Sequence, residues 1–223
     1  MSDPLGADGL GTTRAERFRH GDFSVSIFLP ESSEALIDEE AFDLDERLPY
    51  WAELWPSAKA LARYLLDLPS IQGPALELGS GVALPSLAMA GRGVSVTATD
   101  YYEAALRFAA FNAEFNQLHG LETRLLDWRD PPGDPSRFPL IVAADVLYES
   151  RNADALSALL PQLVADGGTV IIADPGRVYL CDFLDRMRKL GWSVEQVGQI
   201  LEDSSGGSAI KTTVKLFALR LPS

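Results

Sequence analysis

Apolar residues recur along the chain at two alternating periods. Runs at 74–79, 94–99, 138–145 and 167–174 are almost continuously apolar or β-branched and close on Gly, Thr or Asp, the pattern of strands buried on both faces. Between them, 83–91, 103–117, 152–165 and 178–190 gather their apolar side chains on one helical face. That face is broad in the second of these, with Ala104, Leu106, Phe108, Phe111 and Phe115. A further helix opens at Trp55-Pro56-Ser57, carries Ala58, Leu61, Ala62, Leu65 and Leu66 as its stripe, and stops before Pro69. "ETRLLDW" (122–128) reads as a short strand, and 192–200 and 210–220 as two last strands joined by the polar "LEDSSGGSA". This order predicts an α/β fold: a doubly wound, Rossmann-like, seven-stranded, mostly parallel sheet with an antiparallel C-terminal strand, the last two strands forming an antiparallel pair at one edge.

The beginning of the chain reads differently. Residues 1–20 lack apolar periodicity and are expected to form a mobile tail. "DFSVSIFLP" alternates, which places a strand in a small N-terminal appendage over 21–56, ahead of the main domain over 57–223. Within the appendage, 31–46 holds eight acidic residues and no basic one, interrupted by Ala35, Leu36, Ile37, Ala41, Phe42 and Leu44. A solvated acidic face is the simple account, and an acidic rim that recruits a basic substrate is the sharper one.

Composition narrows the function classes. The chain has 223 residues and a net charge of −13, which repels a phosphate backbone; solubility is the simple account of that acidity, and attraction of a basic protein or an amine the sharper one. No apolar run approaches the roughly 18–20 residues that span a bilayer. The single cysteine, Cys181, suits a reducing, cytoplasmic setting. His20 and His119 have no neighbours at ligand spacing, so no metal site is expected.

Ligands of an open α/β sheet sit beyond the carboxyl ends of the strands. Those ends fall at Glu77–Gly81, Asp100, Asp127-Trp128, Ala144-Asp145 and Asp174, and each carries a carboxylate. Carboxylates suit a ligand with positive charge and sugar hydroxyls better than a phosphate, which wants N–H donors and cations. The stretch "ALELGSGVALPSLAMAG" fails the dinucleotide pattern, because Leu84 is bulky where a small residue is needed, yet it meets E-x-G-x-G-x-small with Glu77, Gly79, Gly81 and Ala83. Asp100 ends the next strand, where a carboxylate can accept both hydroxyls of a ribose; a plain helix cap would use the same residue. Asp174-Pro175-Gly176 is turn chemistry first.

On these motifs the sequence resembles the seven-strand S-adenosylmethionine (SAM) methyltransferases. Asp145-Val146-Leu147-Tyr148, with "LWP" at 54–56 and "DW" at 127–128, is similar to the lysine methyltransferase-like branch, which includes enzymes that modify chaperones and the electron-transfer flavoprotein β subunit. The resemblance covers roughly residues 48–220, with "ADPGRVYL" at 173–180 similar to bacterial flavoprotein-modifying members. It implies SAM as cofactor, S-adenosylhomocysteine as product, and a cofactor site of Trp55, Glu77, Gly79, Ser80, Gly81, Asp100, Tyr101, Asp127, Trp128 and Ala144. Asp145 and Tyr148 would line the methyl-transfer channel. Ala83 departs from the family's third glycine, and the acidic 31–46 has no counterpart.

The implied activity is N-methylation of lysine on a protein substrate by a monomer. A small-molecule N-methyltransferase on the same scaffold, or a SAM-binding module without catalysis, are the alternatives. A free lysine with pKa near 10.4 is neutral to only about one part in 10³ at pH 7, so the site must favour its neutral form. Asp145 is expected to hold the incoming ammonium and Tyr148 to orient the amine once its proton has left.

Overall fold

Two antiparallel strands come first in the computed structural model, which describes residues 12–32, 49–133, 136–203 and 211–221. β1 (Thr13–His20) pairs with β2 (Phe23–Pro30) along its whole length, from Thr13 opposite Pro30 to His20 opposite Phe23. This corrects the expectation of a mobile tail for 13–20. The period of two was hidden because the inward positions of β1 are Arg14, Glu16, Phe18 and His20, of which only Phe18 is apolar. Residues 1–11 and 33–48, and with them nearly all of the acidic stretch, lie outside the described residues.

The buried runs then build one sheet. β3 (Ala75–Leu78), β4 (Val96–Asp100), β5 (Leu121–Leu125), β6 (Phe138–Ala144), β7 (Val164–Asp174), β8 (Ser193–Asp203) and β9 (Lys211–Arg220) take the order β5-β4-β3-β6-β7-β9-β8. β3 pairs parallel with both β4 and β6, and β9 inserts antiparallel between β7 and β8. The last two strands are neighbours because only a short connection separates them, and β9 can then reach β7 only by running against it.

Helices cover both faces. α1 (Pro56–Asp67) starts with Pro at its first position, where no N–H is missed, and lays Leu61 and Leu65 on Val142, Ile171 and Leu216. α2 (Leu84–Gly91) is apolar but for Ser86 and wholly buried up to Ala90. α3 (Glu103–Phe115) packs on the same side, where Phe108, Leu87, Trp51 and the hairpin residues Phe18, Val25, Ile27 and Leu29 form one cluster. α4 (Ser150–Leu163) and α5 (Leu180–Lys189) cover the opposite face through Leu156, Leu160, Phe183 and Met187.

The hairpin is fastened to α3 by two asparagines one turn apart. Phe28 N–H donates to Asn112 Oδ1 (2.8 Å), and the Asn112 amide donates back to Phe28 O and to Val82 O. Asn116 repeats the exchange with Ser26. Helix side chains thus stand in for the missing neighbour of a strand edge, and link that edge to the turn after β3.

Candidate active site

The turn after β3 is made for close approach. Gly79 and Gly81 sit at φ +64° and +51°. A Cβ on Gly79 would lie 3.1 Å from Val146 and 3.2 Å from the Trp128 ring, and one on Gly81 would lie 3.1 Å from the Trp51 carbonyl. Ala83 shares the left-handed region at φ +66°, a conformation that costs a non-glycine residue on the order of 1 kcal/mol. Its one-carbon side chain is buried against Ala98 and Ala109, which shows why a small residue is required there. Ser80 Oγ is buried and has no hydrogen-bond partner among the described residues.

Two carboxylates flank this turn. Glu77, in the middle of the apolar β3, is 1% exposed and accepts from the Ser86 N–H (2.9 Å) and the Ser86 hydroxyl at the start of α2. Burial pushes its carboxyl up to about 8; the Ser86 bonds pull the other way, and the charge of Asp100 adds to the rise. Asp100 closes β4 and receives the Gly81 N–H on Oδ2 (2.9 Å) and the Tyr102 N–H on Oδ1 (3.0 Å). Its carboxylate therefore braces the glycine turn, and Tyr102, the N-cap of α3, gives the helix no side-chain cap.

At the end of β6 the arrangement differs. Asp145 stands at φ +59° and its side chain is almost wholly buried, with Oδ2 accepting from Ser57 Oγ (3.2 Å) and Oδ1 from Arg177 Nε (2.7 Å). The Arg177 guanidinium also lies over the Trp55 ring, 5.5 Å from its centre. Trp55 donates its indole N–H to Tyr50 O, and the Tyr50 ring meets Tyr148 edge to face at 5.2 Å. Tyr148 is 38% exposed, so its ring forms part of a rim.

The cofactor and channel residues implied by the resemblance line one cavity of about 1130 Å³, its open mouth included, beyond the ends of β3, β4 and β6: Trp55, Glu77, Gly79, Ser80, Gly81, Asp100, Tyr101, Asp127, Trp128, Ala144, Asp145 and Tyr148. Trp128 packs against the core beside Gly79, and Tyr101 lies under the Arg129 guanidinium.

Two expectations need correction. Asp174 is fully buried away from this cavity, where its Oδ1 accepts the Gly176 and Arg177 N–H groups, both at 2.7 Å, as the turn chemistry of Asp-Pro-Gly suggests. Burial raises its carboxyl, against those two bonds and the Arg177 charge; Oδ2 finds no partner among the described residues. Nor is the rim a uniform row of negative charge. Asp127 chelates Arg129, Asp145 pairs with Arg177, Glu149 with Arg151, and Glu53 with Arg14 from β1. Glu77 and Asp100 both flank the glycine turn, and Asp100 accepts the Gly81 N–H of that turn. The sequence reading missed Arg177, Ser57, Ser86 and Tyr50; only "ADPGR" signalled any of them.

A Rossmann-like sheet with an inserted antiparallel strand, a glycine turn after its first strand and an acidic end on the next define the class I SAM methyltransferase fold. Residues 46–189 match the family model described as lysine methyltransferase, and the chain belongs to that family. It is 37% identical over 136 residues to the electron transfer flavoprotein beta subunit lysine methyltransferase of Rattus norvegicus, covering 58% of this chain and 51% of that one. It is 30% identical over 138 residues to the protein-lysine N-methyltransferase rrg1 of Schizosaccharomyces pombe, covering 55% and 46%. The chain spans about half the length of the curated relatives it matches. Among solved structures, the glycopeptide N-methyltransferase MtfA complexed with SAM superposes with a TM-score of 0.57 at 15% identity, over 75% of this chain and 94% of that one.

Proposed function

We propose that the protein is a SAM-dependent methyltransferase that modifies lysine side chains of a protein substrate. The observation that carries this reading is the convergence of twelve candidate site residues, from the ends of β3, β4, β5 and β6 and the α1 entrance, on one cavity in a chain of the lysine methyltransferase family. SAM fits the residues present: the glycine turn leaves no room for side chains of its own, and the buried Ser80 hydroxyl lacks a partner that a ligand would supply.

When bound, SAM supplies a methyl group on a cationic sulfur. The chain's part is to hold and orient. Asp100 ends β4 beside the glycine turn, where a carboxylate would accept the hydroxyls of a ribose. Glu77 would take the amino end, Trp128 and Trp55 would form walls, and Tyr101, Asp127 and Ala144 would complete the lining. Asp145 and Tyr148 orient the acceptor amine, and the aromatic rim of Tyr50, Trp55 and Tyr148 excludes water around it.

The relatives' names make the electron transfer flavoprotein β subunit the first protein substrate to assay. Action as a monomer in a reducing cytoplasm completes the proposal, supported by the single cysteine. Incubation of the protein with labelled SAM and either cell lysate or purified flavoprotein is the test. Label in protein bands, lost on mutation of the acceptor lysine, supports the reading; label only in small molecules overturns it.

A further inference from the structure

The Asp145–Arg177 pair has a chemical consequence for the acceptor. A lone carboxylate beside an incoming lysine would hold its ammonium form and raise the amine's pKa, the wrong direction for a nucleophile that must be neutral. In this protein the carboxylate is already matched. Arg177 Nε reaches Asp145 Oδ1 at 2.7 Å, while Ser57 takes the other oxygen.

Arg177 is itself fixed from several sides. Its N–H is held by Asp174 Oδ1, its guanidinium rests over Trp55, and its side chain is only 35% exposed. Burial alone would make that cation easier to lose. The Asp145 bond, with the charges of Asp145, Asp174 and Tyr50, outweighs burial and holds Arg177 protonated.

We propose that Arg177 is a positioning residue that neutralises Asp145, so that the acceptor end of the cavity orients a lysine amine without trapping it as ammonium. The inference rests on the methyltransferase reading above for the identity of the acceptor. The other charged groups around this end do not supply the function. Glu149 is matched by Arg151 and Glu53 by Arg14, Tyr50 and Tyr148 bring phenols and not carboxylates, and Asp174 faces the interior. Glu77 lies in the glycine-turn part of the same cavity, bonded to Ser86.

Two arms test this. In the first, n-butylammonium serves as probe with no cofactor present, and its binding is followed by ligand-observed NMR at pH 7.5. Arg177→Gln and Arg177→Met, which remove the charge, are expected to bind it roughly tenfold more tightly than the wild type, and Arg177→Lys to match the wild type. In the second arm, the pH profile of kcat for protein methylation moves up by about one unit in the glutamine and methionine variants, so that the rate lost near pH 7.5 returns at high pH. A purely structural role would lower kcat at every pH without moving the inflection, and unchanged probe affinity with an unmoved profile overturns the inference. Failure of both neutral variants to fold, read by circular dichroism, also overturns it, because the pair would then serve the fold. If the first arm succeeds while the wild type labels no protein, the charge arrangement stands and the lysine reading falls.

Discussion

Proton exchange on cofactor binding is where the buried Glu77 is most exposed to test. With its carboxyl pushed up to about 8, Glu77 is about nine-tenths protonated at pH 7. An α-amino group has a pKa of about 7.7–8.0 and is mostly cationic there. Setting that cation beside Glu77 favours the carboxylate, and ionising it one unit below its pKa costs about 1.4 kcal/mol, tenfold in affinity. The expected release at pH 7 is about 0.9 proton from Glu77 less about 0.1 taken up by the amine, near 0.8 in total. Above pH 8 the carboxylate is already formed and the amine must gain the proton, so the sign reverses and affinity peaks near pH 8. Calorimetric titration of S-adenosylhomocysteine in buffers of different ionisation enthalpy, at pH 7 and 9, reads both signs. Glu77→Gln should abolish the release at pH 7. No proton exchanged at pH 7, or the same release from the glutamine variant, would refute the assignment of Glu77 to the cofactor's amino end.

The same group sets a stability trend. Its folded pKa is raised from 4.5, so the folded state keeps a proton that the unfolded chain loses, and stability is expected to fall as pH climbs from about 4.5 to 8. Urea denaturation of wild type and Glu77→Gln at pH 5 and 8 should show a larger fall in the wild type than in the variant, where only raised groups such as Asp174 remain. Gly79→Ala forces a Cβ against Val146 and Trp128 at positive φ, and should cost roughly 1–2 kcal/mol, lower Tm by about 3–6 °C and weaken S-adenosylhomocysteine at least tenfold in a thermal-shift titration. Asn112→Ala strands Phe28 N–H and O and Val82 O; a loss of about 2–3 kcal/mol, with faster hydrogen exchange at Phe28, is the expected result. Asp145→Ala should leave S-adenosylhomocysteine affinity within about threefold while transfer drops at least a hundredfold; turnover close to wild type would remove Asp145 from the acceptor site.

Much of the sheet could be read from the chain because its strands are buried on both faces, and a run such as "LIVAAD" has no other economical fate. The glycine turn was legible for the same reason: Gly79, Gly81 and the small Ala83 stand where backbone conformation leaves few options. β1 was not, since Arg14, Glu16 and His20 fill its inward positions and their value depends on partners as distant as Glu53 and Asp67. The charge state of the rim was equally hidden. Asp145 meets Arg177 only after β6 and β7 have paired, and nothing in "ADVLY" announces a cation 32 positions later. Local motifs named the walls of the cavity; the compensation of its charges belongs to tertiary structure.

The asparagine clamp on β2 constrains how the molecule can be assembled during translation. Its contacts span 84 and 90 positions, so the edge of β2 gains its asparagine partners only once α3 has been made. For that interval the nascent chain presents an apolar ribbon with an open edge, the form most in need of shielding by a chaperone. A shortened chain that begins after the hairpin would escape that delay but leave Leu84, Leu87 and Phe108 uncovered and Asn112 without its partners on β2, loosening the turn on which the cofactor is to rest.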